Sequence, residues 1–229
     1  MIKYKSDNLF FYRECIAWRF ISRFEYPWEA LDSIESFIME TGPSLAADEY
    51  EKAGDGIWIS KSASVAPSAY IGGPCIIGPG AEVRHCAFIR RGALIGAGAV
   101  VGNSTEIKNA VLFDNSQVPH FNYVGDSVLG YRAHMGAGAV TSNVKSDSTP
   151  VAVYGDGFRI ETGRKKLGAI LGDMVEIGCG SVLNPGTVIG AETSVYPLSA
   201  VRGCVGPVNI YKGPNNIVRR EGGAGRCAE

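Results

Sequence analysis

The chain carries three histidines, His85, His120 and His134, the side chains able to exchange protons near neutral pH. His120 lies in Pro119-His120-Phe121-Asn122-Tyr123, inside the stretch Asp114–Val124. An imidazole there is a candidate general base, because it can take a proton from an attacking amine or hydroxyl without a cofactor. The competing reading is a turn histidine held by a structural hydrogen bond. Arg90 precedes Lys108 by 18 residues, and Arg164, Lys165 and Lys166 form a second cationic group. Singly each is an ordinary surface charge; gathered beside His120 they point to a phosphate-bearing ligand, which Arg and Lys bind through charge-assisted hydrogen bonds.

What must position these groups is a repeat of period six. Aliphatic residues stand at Ile59, Val65, Ile71, Ile77, Val83, Ile89, Ile95, Val101 and Ile107, each with a small residue four places on, from Ala63 and Ala69 to Thr105 and Val111. A period of six fits neither a helix nor simple strand alternation, so each hexad predicts one short strand plus a corner, three hexads closing a triangular coil. Leu129 and Met135 keep a phase with Ala133 and Ala139, and further hexads start at Leu171, Ile177, Leu183, Ile189, Val195 and Val201. The stretch Asp114–Val124 is read as the break in the repeat, and breaks in solenoids gather function. In an 18-residue coil Arg90 and Lys108 stack about 4.8 Å apart on one face.

The fold class expected is therefore an all-β solenoid, a parallel β-helix, with a short α-helical N-terminal cap and an inserted hairpin. Three segments follow: a helical cap segment over 1–58, the β-helix over 59–206 with a loop insertion over 141–169, and a C-terminal tail over 207–229 whose last ten residues are expected to be mobile. Pro27, Gly42 and the apolar stripe Trp28, Leu31, Ile34 and Ile38 predict a helix over 27–41, laid across the open N-terminal end of the first coil. The runs around Gly155-Asp156-Gly157 predict the hairpin.

Hydrophobic residues make up 45% of the chain, enough for a sizeable core, and the 30 glycines serve corners. A net charge of −1 gives no field to attract nucleic acid or an anionic membrane. Neither a signal-type run nor a spanning helix is legible, so a cytoplasmic location is expected. Six cysteines without C-x-x-C spacing are read as free, inert thiols.

The run EIKNAVLFDNSQVPHFNYVGDSVLGYRAHMGAGAVTSN over 106–143, with KKLGAILGDMVEIGCGSVLNPGTVIG over 165–190, resembles the acetyltransferase half of the bifunctional UDP-N-acetylglucosamine pyrophosphorylase/glucosamine-1-phosphate N-acetyltransferases. The whole chain resembles the short stand-alone proteins related to that family, hexapeptide-repeat sugar acyltransferases. The resemblance implies a left-handed coil, a homotrimer with sites between subunits, and acetyl-CoA or another acyl-CoA as co-substrate with no metal. It implies His120 as the base, Glu106 as a supporting carboxylate, and Arg90, Lys108, Tyr123 and Lys166 as contacts to a sugar phosphate or nucleotide sugar. Ala137, Asn143 and Cys179 match positions along the acyl-donor path. His134 replaces a sugar-contacting asparagine, which changes donor and acceptor geometry, and the hairpin over 151–160 replaces a shorter loop. Pyrophosphorylase activity is not expected, since fewer than sixty residues precede the repeat and hold no Gly-rich phosphate loop.

Two other readings stay open. A non-catalytic solenoid that binds sugar nucleotides is compatible with Pro197 near the donor path. A metal-dependent enzyme like the γ-class carbonic anhydrases would need a cluster of histidines, whereas His85 and His120 are 35 residues apart. That is about 10 Å along the prism, too far to share one zinc.

Overall fold

The computed structural model describes residues 4–155 and 157–221. From Ile57 the chain winds as a parallel β-helix whose strands pair coil on coil: Ile59 with Ile77 and Ile95, Val65 with Val83 and Val101, Ile71 with Ile89. The hexad aliphatics fill the interior as a continuous buried column. Each coil has three faces. A covered face runs through Cys75–Ile77 and Ala93–Ile95, a middle face through Glu82–Val83 and Val100–Asn103, and an open face through Tyr70–Ile71 and Phe88–Ile89.

The repeat does not break where the sequence suggests. Val118 and Val124 point inward like any hexad aliphatic. What changes is coil length. Ile107 pairs with Val124 and Leu112 with Ile95, a step of 17 residues instead of 18, and Leu112 with Leu129 repeats the shortening. One residue is lost at the corner between open and covered faces, where Asn109 and Asp126 turn the chain alone in the left-handed region (φ 48° each). Val111, counted above as the small residue of the Ile107 hexad, therefore points outward, and Ala110 and Leu112 point in. The step of 42 residues from Leu129 to Leu171 contains the insertion.

The covered face is apolar outside as well as inside, so its strands read as unbroken runs: Cys-Ile-Ile, Ala-Leu-Ile, Ala-Ile-Leu. Ile76, Leu94, Val111, Val128, Ile170 and Val188 meet Leu31, Ile34, Phe37 and Ile38 of the N-terminal segment in a second core. A 3₁₀ turn, Pro27–Ser33, leads into the helix Ile34–Thr41. This segment lies along the flank of the prism, not across its end. The strip of outward apolar residues buries more surface than the small triangle of the first coil could offer. At each end one of the three faces is capped by a strand running backwards: Tyr50–Gly54 pairs antiparallel with Ile57–Ser60, and Asn216–Arg219 with Asn209–Gly213.

The hairpin forms as expected, Ala152–Gly155 against Phe158–Glu161, but packs on the covered face beside Cys204 and Tyr4. It does not cross the open face. Asp156 at its tip and the tail from residue 222, with Cys227, lie outside the described residues. Among those described, no helix is long and apolar enough to cross a membrane. Burial pushes the Cys15, Cys75 and Cys204 thiols up to about 12, in keeping with inert cysteines; Cys86 and Cys179 are exposed.

Asp173 ties the N-terminal segment to the solenoid, accepting the N–H groups of Phe11 (2.6 Å), Tyr12 (2.9 Å) and Tyr131 (2.8 Å). Burial raises its carboxyl to about 6, and the three N–H bonds only partly oppose this. Burial raises Asp114 as well. The folded chain thus holds protons that the unfolded chain releases between about pH 4 and 6. Stability is expected to fall as pH rises through that window, by about 2–3 kcal/mol for Asp173, and then level off. Urea unfolding at pH 4.5 and 7 checks this; a Cm rising with pH contradicts it.

Candidate functional site

The sequence-predicted residues fall on two edges of one face. On the edge between middle and open faces, equivalent corners of successive coils carry His85, Asn103, His120, Ala137 and Cys179. Asn103 pairs with His120 and donates from Nδ2 to the His85 carbonyl (3.0 Å). The His120 carbonyl accepts from Gly138 N–H (3.0 Å), the Ala137 carbonyl from Gly180, and the Cys179 carbonyl from Leu198. His85 and His120 thus stand two coils apart, as the register requires. His120 occupies a regular corner; the irregularity is on the opposite edge.

His120 is exposed, and its ring makes no hydrogen bond to the described residues. Its backbone is held firmly. Buried Asn122 accepts the His120 N–H (3.0 Å) and donates to the carbonyls of Gly136 (2.8 Å) and Ala139 (2.9 Å), stapling this corner to the next coil. Sequence reasoning passed over Asn122; its signal was an amide at a corner where an unpaired backbone N–H would otherwise be buried. Beside the edge, Phe121 and Leu198 sit in the left-handed region with 61% and 85% of their surface exposed. Between them the corner track is glycine, Gly138 and Gly180.

Across the open face, the other edge gathers the polar groups. Arg90 and Lys108 are stacked as expected, Arg90 N–H bonding the Ile107 carbonyl. Yet their charges do not converge on an empty pocket. Arg90 pairs with Glu106 (3.0 Å) and Lys108 lies 3.9 Å from Asp126. Asp126 is buried and accepts from Asn109 (2.9 Å) and Asn143 (2.5 Å). Tyr123 pairs in register with Glu106, and its ring lies along its own strand over Gly125, where a Cβ would overlap the hydroxyl. That hydroxyl reaches Asn143 Nδ2 (3.2 Å), and burial raises its pKa, assisted by the nearby Asp126 and Glu106 charges. Asn143 therefore belongs to the polar edge, apart from Ala137 and Cys179.

Lys166 lines a cleft of about 600 Å³ behind that edge, with Asn109 and Asp126. His134 joins neither edge: it stands on the middle face, bonded through Nδ1 to Glu176 (2.9 Å). Among the described residues no group of three His, Cys, Asp or Glu side chains is placed to hold a metal ion.

A profile of the GMPPB C-terminal domain matches residues 71–166. The chain is 39% identical over 107 residues to a bifunctional sugar-1-phosphate nucleotidylyltransferase/acetyltransferase of Sulfurisphaera tokodaii, covering 47% of this chain and 27% of that protein. It is 35% identical over 114 residues to the putative uncharacterized acetyltransferase YaiX of Escherichia coli, 50% of this chain and 49% of that one. The chain thus spans half or less of the curated relatives it matches. Among solved structures, a hexapeptide transferase family protein from Anaplasma phagocytophilum aligns with 72% of this chain and 80% of its own, with a TM-score of 0.42 and 15% identity.

Proposed function

We propose that the protein is an acyl-CoA-dependent acyltransferase acting on a sugar phosphate or nucleotide sugar, with His120 as general base. The observation that carries this reading is the edge itself: His120, Ala137 and Cys179 stand on consecutive equivalent corners, the ring of His120 is exposed and unengaged, and a glycine track leads away from it. An extended thioester laid along that track would bring its carbonyl to the imidazole. A sugar amine or hydroxyl then attacks the carbonyl carbon as a ring nitrogen of His120 takes its proton. Collapse of the tetrahedral adduct breaks the C–S bond and expels the CoA thiolate, which is reprotonated. The acetyltransferase relatives support the reading.

The acceptor's place is the open face, with Glu106, Tyr123, Arg90 and Lys108 across it and Lys166 behind. Arg90 and Lys108 would exchange their carboxylate partners for, or share them with, the acceptor's anionic group. The residues divide between two edges, and the open face exposes the Tyr70–Phe88 ring pair and Val182. Both observations support a homotrimer whose neighbouring prisms complete the site. A non-catalytic sugar-nucleotide binder is the second reading, favoured by exposed Pro197 at the next equivalent corner and by Leu198 projecting over the track.

The deciding measurement is thiol release from acetyl-CoA and longer acyl-CoAs with a panel of amino-sugar phosphates and nucleotide amino sugars. Turnover with at least one acceptor is expected. No release across the panel overturns the enzyme reading, and a rise in melting temperature with the sugar nucleotides alone would then favour the binder.

A further inference from the structure

The cleft behind the polar edge has one wall that the family match does not reach. Its floor is Asn109 and Asp126, its second wall is Thr162–Lys166, and its third is the 3₁₀ turn with Trp28, Glu29 and Asp32. Residues 71–166 carry the family match, so this last wall lies outside it.

Six charged side chains line the cleft, and four are already engaged. Glu29 accepts the Tyr26 N–H (3.0 Å), and Asp126 holds two asparagine amides. Asp32 grips the Arg164 guanidinium with both oxygens (2.5 and 2.7 Å). Lys165 and Lys166 make no side-chain hydrogen bond or ion pair with the described residues, and both are exposed to the cleft. Two adjacent unpartnered ammonium groups in a polar cleft of this size select an anion, and a phosphate or diphosphate ester satisfies both.

What fixes the lysines is Arg164. Its side chain is 11% exposed; its Nε donates to the Lys166 carbonyl (3.4 Å), and its own N–H and carbonyl bond Thr162 Oγ1 and the Val151 N–H. Among the described residues Asp32 supplies the only carboxylate paired with that guanidinium. Three residues further on, Glu35 grips Arg91 in the same two-oxygen manner (2.6 and 2.8 Å), so the turn and helix are pinned on both sides of the Asn109–Asp126 corner.

We propose that the N-terminal segment builds the anion subsite of the acceptor, with Asp32 as a positioning residue that acts through Arg164 to hold Lys165 and Lys166 on a phosphate or diphosphate ester. This rests on the acyltransferase reading for its place in a reaction, not for the binding itself. It also locates acceptor choice in a part of the chain that the matched family region does not include.

The sign of one substitution separates positioning from simple charge. Removing a carboxylate from the cleft wall should strengthen anion binding if only charge counts, and weaken it if Asp32 positions the lysines. Titration calorimetry at low salt with UDP and, separately, with glucosamine 1-phosphate reads this and distinguishes a diphosphate from a monophosphate ligand. Asp32→Ala is expected to weaken the better ligand by about fivefold, and Lys165→Ala/Lys166→Ala by about tenfold or more. The exchanged pair Asp32→Arg/Arg164→Asp should recover most of the single-variant loss, and acceptor KM should rise while acyl-CoA KM holds. Unchanged or tighter binding by a folded Asp32→Ala overturns the proposal, as does failure of the exchanged pair at wild-type melting temperature. Wild-type protein that turns over an acceptor whose KM none of these variants moves also overturns it and leaves the acyltransferase reading intact. The expected binding pattern with no thiol release keeps the subsite and removes the enzyme.

Discussion

His120→Ala is expected to reduce acyl transfer by about 10²–10⁴-fold, the range lost with a general base. Its melting temperature should stay close to that of the parent. The ring is exposed and bonds to nothing described, and what locks the corner is backbone: the N–H to Asn122 Oδ1 and the carbonyl from Gly138, both of which alanine retains. The loss should appear in kcat, with acyl-CoA affinity little changed, because the glycine track and the corners at Ala137 and Cys179 are untouched. Equal turnover in His120→Ala and parent would remove His120 as the base, and the exposed imidazole would revert to a surface side chain.

The second large effect concerns Gly102, which no proton-transfer argument singles out. It precedes Asn103 on the strand Val100–Asn103, directly under the strand Gln117–His120. A Cβ at Gly102 would overlap the carbonyl of Pro119, and a backbone carbonyl cannot swing aside as a side chain can. Gly102→Ala must therefore push the Pro119–His120 corner off its coil. The expected cost is at or beyond the upper end of the roughly 1–3 kcal/mol typical of overpacking, with turnover falling because His120 moves with the corner. Gly80→Ala is the control. Gly80 has φ 64° and open space around its Cβ position, so alanine there meets only the left-handed penalty of roughly 1–2 kcal/mol. Urea midpoints measure both; a Gly102→Ala protein as stable as Gly80→Ala would contradict the steric account.

The hexad aliphatics were legible because a prism interior admits one kind of side chain every sixth residue, and nearly all of Ile59–Val201 point where that rule sends them. A one-residue loss was invisible for the same reason. Val111 and Leu112 are both apolar, so shifting the frame by one leaves an acceptable residue in either slot. The strand pairings, such as that of Leu112 with Ile95, reveal the shortened coil. The helix over 27–41 could be read from its stripe, but not what the stripe covers, although the apolar triplets recurring in every third strand carried that information. For the candidate site, spacing foretold that Arg90 and Lys108 stack. It could not foretell that Glu106 and Asp126 reach them first, since those partners lie one coil away in space. Asp32 and Arg164, 132 residues apart, meet only through the fold.

The backward-running strands at the two ends bear on how these molecules meet each other. In a β-helix every coil is a template for the next, so a bare terminal coil could accept a second molecule as though it were another turn of its own chain, and a third after it. Head-to-tail growth of that kind has no natural stopping point. Here the outermost strand of one face at each end, Tyr50–Gly54 and Asn216–Arg219, runs against the coil direction and presents Glu51, Lys52, Asn216 and Arg219 to solvent. An incoming coil would face hydrogen-bonding groups in the wrong phase and charges it must desolvate. Each end is thus blocked on one of its three faces, which disfavours such growth and leaves association to the sides of the prism.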